Sequence, residues 1–381
     1  MANTLTNLIP DLYEALDVVS RELTGFIPAV SRNSSIERAA LNETVRIPVT
    51  PSASSADNTA GVNAPDTGDQ TIDNVSVSIT KSKHVAVRWN GEETKGLQNA
   101  GTFSSIQAQR FYQGMRTLVN EIETDLWTEA YQSSSRAYGT AGTTPFGTAA
   151  DMSDFAGVMR ILEENGAPKT DLQLVLGHAA VANLRGKQSG LFKVNEAGSA
   201  DMLRNGMTDR VMGMALRHSD AVSLHTKGTG ASYLLNDASS AVGDTTIAAD
   251  GGSGTILAGD IVTFAGTTDK YVVNTALSSG SFVIGKPGLV AAETDNDAIT
   301  VGNNYTANVA FDRSAIVLAT RAPAMPNGGD MADDAMMLVD DRTGLAFEIA
   351  VYRQFLQVVY HVRLAWGFKV IKEAHVATLL G

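Results

Sequence analysis

The chain has 381 residues, 44% hydrophobic and 18% charged, a globular composition long enough for two domains and an extended arm. Its formal net charge is −12 and its Lys and Arg residues form no cluster, which argues against a protein that grips nucleic acid irrespective of sequence. Cysteine is absent, which removes disulfides, thiolate nucleophiles and cysteine-based zinc sites. No run reaches about 18 uninterrupted apolar residues, so no membrane span is expected. The first seven residues carry neither the basic region nor the apolar run of a secretory signal, and folding in a cytoplasm is the expectation.

Residues 8–24 place Leu8, Leu12, Ala15, Leu16, Val19 and Leu23 at helical spacing, with Pro10 near the start and Gly25 past the end. So short an amphipathic helix needs something to dock on, either its own subunit or a partner. Two alternating runs follow. Val45, Ile47 and Val49 form one; Val75, Val77 and Ile79 form the other, continuing through Val85, Val87 and Trp89. The polar stretch between them, Pro51 to Thr71, reads as a long hairpin tip, disordered or ordered by a neighbour.

The longest helix is expected from Ser104 to about Ser134. Ser104 and Gln107 fit a capping box, and Ala108, Phe111, Met115, Leu118, Ile122, Leu126 and Ala130 mark one apolar face. Arg116, Thr117, Glu121, Thr124, Asp125 and Thr128 occupy the other. After a Gly/Thr/Pro loop, Thr140 to Thr148, comes an α/β region. Ser153 is placed to cap a helix closed by Gly166, Leu172 to Leu176 reads as a buried strand, and His178 to Leu184 as a helix.

Residues from about Gly228 to Tyr305 read differently. Short strands at Tyr233–Leu235, Thr245–Ile247, Asp260–Phe264, Lys270–Val273, Ser281–Ile284 and Ala298–Val301 are separated by Gly, Asp and Asn, the pattern of a small barrel or sandwich. The flanking runs, Asp220–His225 and Ala315–Thr320, read as neighbouring buried strands of one other domain, interrupted by this module. Phe347 to Ile371 is rich in β-branched and aromatic residues and reads as strands.

Reactive motifs are wanting. There is no phosphate-binding Gly-x4-Gly-Lys-Ser/Thr, no Gly-x-Ser-x-Gly elbow and no His-Glu-x-x-His. Gly251-Gly252-Ser253-Gly254 reads as a turn. Asp295-Asn296-Asp297 lacks the Gly and Glu of a calcium loop. His218 and His225 have no carboxylate at ligand spacing, and read as structural or surface residues. Asp330, Asp333, Asp334, Asp340 and Asp341 form an acidic patch: a solvated loop, a partner for basic residues of an adjacent subunit, or a cation site. The expectation is a non-enzyme without metal or cofactor.

The order of parts resembles the major capsid proteins of tailed bacteriophages, of the Hong Kong 97-like fold, in the podovirus branch that carries an extra barrel. Three stretches carry the resemblance. Gly259-Asp260-Ile261-Val262-Thr263-Phe264-Ala265-Gly266 is similar to a strand of the inserted domain. Phe311-Asp312-Arg313-Ser314-Ala315-Ile316-Val317-Leu318-Ala319-Thr320-Arg321 is similar to the strand re-entering the axial domain, with Asp312 where the family often has His. Trp366-Gly367-Phe368-Lys369-Val370-Ile371-Lys372-Glu373 is similar to the closing strand, without its terminal Pro.

The resemblance implies an α+β capsid fold. Its parts are an N-terminal arm (1–42), an extended hairpin with peripheral strands (43–98), a spine helix (99–148), an axial domain in two parts (149–226 and 309–346), an inserted β-barrel (227–308) and a C-terminal β return (347–381). It further implies a self-assembling shell of pentamers and hexamers in a virion, made in the host bacterial cytoplasm. The shell would enclose double-stranded DNA without sequence-specific binding, and assemble with a separate scaffolding protein and a portal. No Lys–Asn cross-linking set can be placed, so assembly is expected to be noncovalent. Arg46, Arg88 and Trp89 at the hairpin base, and Leu12, Leu16 and Val19 on the N-terminal helix, are the candidate intersubunit contacts. The rival readings are a non-capsid virion or surface β-protein whose insert binds a ligand, and a β-rich hydrolase with an unrecognised site.

Overall fold

The computed structural model describes residues 24–49, 55, 57, 58, 60, 73–99, 103–188, 210–237, 240–339 and 344–381. The expected N-terminal helix and most of the expected hairpin tip lie outside the described residues.

An early strand and four late ones, with a sixth from between, build one six-stranded sheet. Its order is β1 (Ser31–Ala39), β17 (Ile316–Pro323), β20 (Gln357–Val370), β19 (Ala346–Gln354) and β18 (Asp334–Val339), with β4 (Lys81–Asn90) also paired to β20. Here the alternating run expected from Val75 to Trp89 divides. β3 (Asp73–Ser78) pairs with β2 (Thr44–Val49) in a separate two-stranded ribbon, whereas β4 pairs along β20 from Asn90↔Gln357 to Lys81↔Trp366. The break falls where the backbone changes partners: Ile79 donates to the Glu43 carbonyl and Thr80 to that of Trp366.

Helix α1 (Gly91–Asn99) is an addition to the sequence reading, and it buries no residue. It starts at a reciprocal cap. The Glu93 N–H donates to Asn90 Oδ1 at 2.7 Å, and the Asn90 N–H donates to Glu93 Oε2 at 3.1 Å. Helix α2 (Phe103–Gln132) is the expected long helix, about 45 Å from end to end. Phe111, Met115, Leu118, Ile122, Leu126 and Ala130 are buried as their spacing requires, but so are Val119, Glu123, Trp127 and Tyr131. The buried face is wide because the helix is wedged between two sheets. On one side Trp366 Nε1 donates to Asp125 at 2.9 Å; on the other Trp127 Nε1 donates to the Ala307 carbonyl at 2.9 Å. Gln107 does not cap: it is buried and bonds the Tyr360 side chain. The polar face satisfies itself, with Thr117, Thr124 and Thr128 donating to carbonyls one turn back.

The second sheet runs β5 (Arg136–Tyr138), β21 (Val376–Leu380), β16 (Tyr305–Asp312), β6 (Leu172–Leu176), β8 (Met214–His218) and β7 (Arg210–Val211). Helices α3 (Ser153–Glu164) and α4 (His178–Lys187) cover it, and Phe155, Val158, Ile161, Leu162, Ala180 and Leu184 join its core. All five residues of β6 are buried, as expected of an apolar run without alternation. Ser153 is the first residue of α3 rather than its cap; the Asp151 carboxylate accepts its N–H at 2.9 Å.

The insertion leaves and returns through neighbouring strands. Within Asp220–His225 only β9 (Leu224–His225) is strand, and it pairs with β16, His225 opposite Tyr305. It does not neighbour Ala315–Thr320. That run is β17 and lies in the six-stranded sheet. The stretch Phe311–Leu318 is therefore two strand ends joined by a turn. Asp312 accepts the Ser314 N–H and starts a short 3-10 helix, Arg313–Ala315, that carries the chain from one sheet to the other.

The insert itself is a closed barrel. Its strands are β10 (Tyr233–Leu235), β11 (Thr246–Asp250), β12 (Ile261–Phe264), β13 (Lys270–Ser278), β14 (Ser281–Ile284) and β15 (Ala298–Val301). They pair antiparallel in the order β12, β15, β10, β11, β14, β13, and β13 pairs back to β12. Closure leaves no free edge within the barrel. Leu235, Ile247, Val262, Tyr271, Val273 and Ile284 fill it at zero exposure. It is joined laterally through β13 to β5, Tyr271 opposite Arg136.

Candidate intersubunit surface

The ribbon of β2 and β3 is where the expected contact residues begin. Val45 and Ile47 turn one face inward, opposite Val77 and Val75. Val77 and Ile79 are fully buried against Val317, Ala319 and Ala365, so the base of the ribbon is seated on the six-stranded sheet. Gly367 permits this approach: a Cβ there would lie 2.0 Å from the Ser78 carbonyl oxygen. Arg46 lies on the opposite, exposed face, across from Ser76.

Arg88 and Trp89 belong to a different sheet. Arg88 is exposed on β4, across from Val359. Trp89 is half-buried and meets the Phe103 ring edge-on at 5.5 Å, with its buried indole N–H unpaired. The two, with Glu93, Arg110 and Gly114, border a groove of about 410 Å³ between β4 and α2. Leu12, Leu16 and Val19 lie outside the described residues.

A further exposed feature escaped the sequence reading. The two-residue turn from β19 to β20 presents Phe355 at 91% exposure and Leu356 at 74%, and Leu356 holds a left-handed φ of 54°. Met331, 95% exposed at φ 62°, sits in the adjoining loop, whose Asp333 N–H donates to the Val351 carbonyl. Three large apolar side chains thus project from one end of the sheet, two of them on backbone that costs on the order of 1 kcal/mol or more to hold. Alternation could not have revealed them, because they stand in turns.

Two members of the acidic patch, Asp330 and Asp333, are used within the chain. Asp330 pairs with Arg363 at 2.6 Å and accepts from the Tyr352 hydroxyl at 2.5 Å, and Asp333 pairs with Arg353 at 3.1 Å. The Tyr352 hydrogen bond, with the Arg363 guanidinium, lowers the Asp330 pKa to about 2. Burial, together with that carboxylate, pushes Tyr352 up to about 12. Asp340 and Asp341 lie outside the described residues. Asp297 closes a tight turn by accepting from Thr294 N–H and hydroxyl, each at 2.8 Å.

The histidines acquire carboxylate partners that their spacing did not announce. His225 is buried, and its Nε2 donates to Asp260 at 2.9 Å while its Nδ1 faces the Tyr131 hydroxyl at 3.3 Å. A Tyr–His–Asp line has the outline of a catalytic relay, but this one is sealed. Asp260 has zero exposure and also accepts the N–H groups of Gly228 and Leu257, and burial pushes the Tyr131 pKa up, away from a nucleophile. The cluster is a bolt at the barrel root. His178 and His218 pair near the surface, with Asp220 on His178 at 2.7 Å. Among the described residues no group of three or more His, Cys, Asp or Glu is arranged to hold a metal ion.

A cleft of about 920 Å³ lies between the barrel and the α/β unit. Arg136, Arg160, Lys187 and Lys270 face Asp151, Asp154 and Asp269 in it. Arg136 is engaged by Glu164 at 2.8 Å and Asp269 at 3.5 Å, so opposed charges brace the walls.

No family model matches the chain, and no curated protein matches it. Among solved structures it is similar to the capsid of the cyanophage P-SCSP1u, at 11% identity and a TM-score of 0.49, over 94% of this chain and 88% of that one. It is also similar to a Mycobacterium phage Che8 structure, at 13% identity and a TM-score of 0.47, over 89% and 84% of the two chains. A virus-like particle from Pyrococcus furiosus gives 9% identity and a TM-score of 0.42, over 97% of each chain.

Proposed function

We propose that this chain is a major capsid subunit that assembles with copies of itself into the shell of a tailed-bacteriophage particle. The reading rests on one observation: a closed barrel is inserted between two hydrogen-bonded strands, β9 and β16, of a chain whose long helix α2 is clamped between two sheets. That is the order of parts carried by Gly259–Gly266, Phe311–Arg321 and Trp366–Glu373 in the family the sequence resembles. The physics of a shell fits this arrangement. A contact repeated head-to-tail around a ring closes, and extended elements add contact area that a compact body cannot offer.

In this reading the sheet of β6, β8 and β16 with α3 and α4 is the axial domain. Helix α2 with the six-stranded sheet is the peripheral body, and the ribbon of β2 and β3 reaches a neighbouring subunit. Arg46, Arg88 and Trp89 lie at subunit contacts, as do Leu12, Leu16 and Val19. A separate scaffolding protein and a portal take part in assembly, and the enclosed DNA is held without sequence preference. The chain performs no catalysis.

The test is the state of assembly. Full-length protein, expressed alone and together with a phage scaffolding protein, is examined by sedimentation and electron microscopy. Closed particles are expected. A protein that stays monomeric under both conditions would overturn the proposal.

A further inference from the structure

Four of the six histidines meet in pairs, and the pairs differ in geometry. His84 and His361 stack face on face, 4.5 Å between centroids and 10° from parallel, so their in-plane lone pairs run side by side and do not converge. His178 and His218 stand at 87°, and Nδ1 of one lies 2.8 Å from Nε2 of the other. Two metal–nitrogen bonds of about 2.0–2.1 Å meeting near a right angle hold their nitrogens about 3 Å apart. The second pair already has that spacing.

We propose that His178 and His218 form a bidentate binding site for a divalent first-row transition-metal ion of the kind imidazole prefers: Ni2+, Zn2+ or Cu2+. The fold brings the rings together. His178 opens α4 directly after β6, and the parallel register of β6 with β8 sets Leu176 beside His218. Asp220 completes the arrangement from outside. A carboxylate accepts only, so at 2.7 Å it fixes the proton of His178 on Nε2 and leaves the Nδ1 lone pair facing His218. A carboxylate behind a ligating histidine orients the ring and raises its basicity. The metal takes the place of the proton that the rings share. His218 then carries its proton on Nδ1, and both rings turn so that their lone pairs meet on the ion.

The His178 side chain is 53% exposed, so that rotation is open to it and water fills the remaining coordination positions. Arg185 adds positive charge beside His218, and Asp220 supplies an opposing negative charge. Mg2+ and Ca2+, which require oxygen ligands, are expected not to bind here.

The experiment is calorimetric titration of the untagged full chain with NiCl2, with MgCl2 as control. One Ni2+ per chain is expected, and His178→Ala and His218→Ala each abolish saturable uptake. Asp220→Asn weakens it by about tenfold, the effect of removing an outer carboxylate. The double variant His84→Ala/His361→Ala leaves it unchanged. In the unmutated protein, Cu2+ should broaden the imidazole resonances of His178 and His218 before those of His84 and His361, which reads the site independently of any variant's folding. Absence of saturable Ni2+ uptake, uptake surviving both His178→Ala and His218→Ala, or uptake lost with His84 and His361 would each overturn the proposal.

Discussion

Glu123, in the C-terminal half of the long helix, accepts a hydrogen bond from the Ser219 hydroxyl at 2.8 Å, although the two are 96 residues apart. The same carboxylate accepts the backbone N–H groups of Gly25, Phe26 and Ile27 at 3.2, 3.0 and 2.7 Å. One buried side chain therefore ties residues 25–27, helix α2 and the loop after β8 into one joint. Burial pushes its pKa up while the four donors pull it down. On balance the pKa is raised, because burial outweighs the four donors.

Glu123→Ala would leave three backbone N–H groups without their acceptor. A buried donor left unsatisfied costs about 1–3 kcal/mol, so a loss of at least about 3 kcal/mol is expected in urea unfolding. Hydrogen exchange should rise first over residues 24–30. A midpoint equal to that of the parent chain would show that water replaces the carboxylate without penalty.

At the barrel root Asp260→Ala strips the partner from His225 and the acceptor from Gly228 and Leu257. Each buried donor left without its acceptor costs about 1–3 kcal/mol, so a loss of at least about 3 kcal/mol is expected here. Limited proteolysis should then cut near residues 226–230 and 257–260, where the barrel joins the sheet. Asp260→Asn, which retains an acceptor, should lose less.

Acid sensitivity should concentrate at Asp330. Its folded pKa, about 2, lies below the ordinary 3.8, so its contribution to stability is complete above about pH 4 and disappears as pH falls toward 2. Asp330→Asn should lower stability at pH 6 and flatten the decline between pH 4 and 2. An unchanged pH profile in that variant would place the acid-labile group elsewhere.

These joints mark where sequence reasoning stops. The spine helix was legible because Phe111, Met115, Leu118 and Ile122 repeat at helical steps, and the barrel because short apolar runs alternate with turn residues. Both patterns are local. Pairing is not: β16 and β17 are consecutive, yet a turn capped by Asp312 sends them to different sheets. Helix α1 buries nothing and so has no apolar period; its one signal was the Asn90/Glu93 cap. His178 and Asp220 are 42 residues apart and meet only because β6 and β8 are parallel neighbours. Arg46 and Arg88 lie on exposed strand faces, as alternation expects, while the exposed Phe355, Leu356 and Met331 stand in turns that alternation does not describe.

Deleting residues 52–70 should leave the folded body intact, because the ribbon is seated through Val77 and Ile79, outside the deletion. Thermal unfolding should be nearly unchanged while particle yield falls. Particles of normal yield and stability would remove the stretch from the assembly contacts.

Deleting the barrel, residues 228–304, tests whether it is an appendage. An independent binding module would leave a folded remainder. This barrel is not so separable. Ile261 and Val272, although on barrel strands, are buried in the main core with Tyr131 and Tyr305. The Tyr305 hydroxyl donates to the Gly259 carbonyl at 2.6 Å, and β13 covers the edge of β5. Removing the barrel would uncover Tyr131, Ala137 and that strand edge, and leave the His225 imidazole without its carboxylate. An exposed edge beside apolar surface favours aggregation. The shortened chain is therefore expected to express as insoluble or molten protein, read by loss of near-ultraviolet circular dichroism and a broadened thermal transition. A soluble, cooperatively unfolding remainder that still formed particles would show the barrel to be a graft on a self-sufficient subunit.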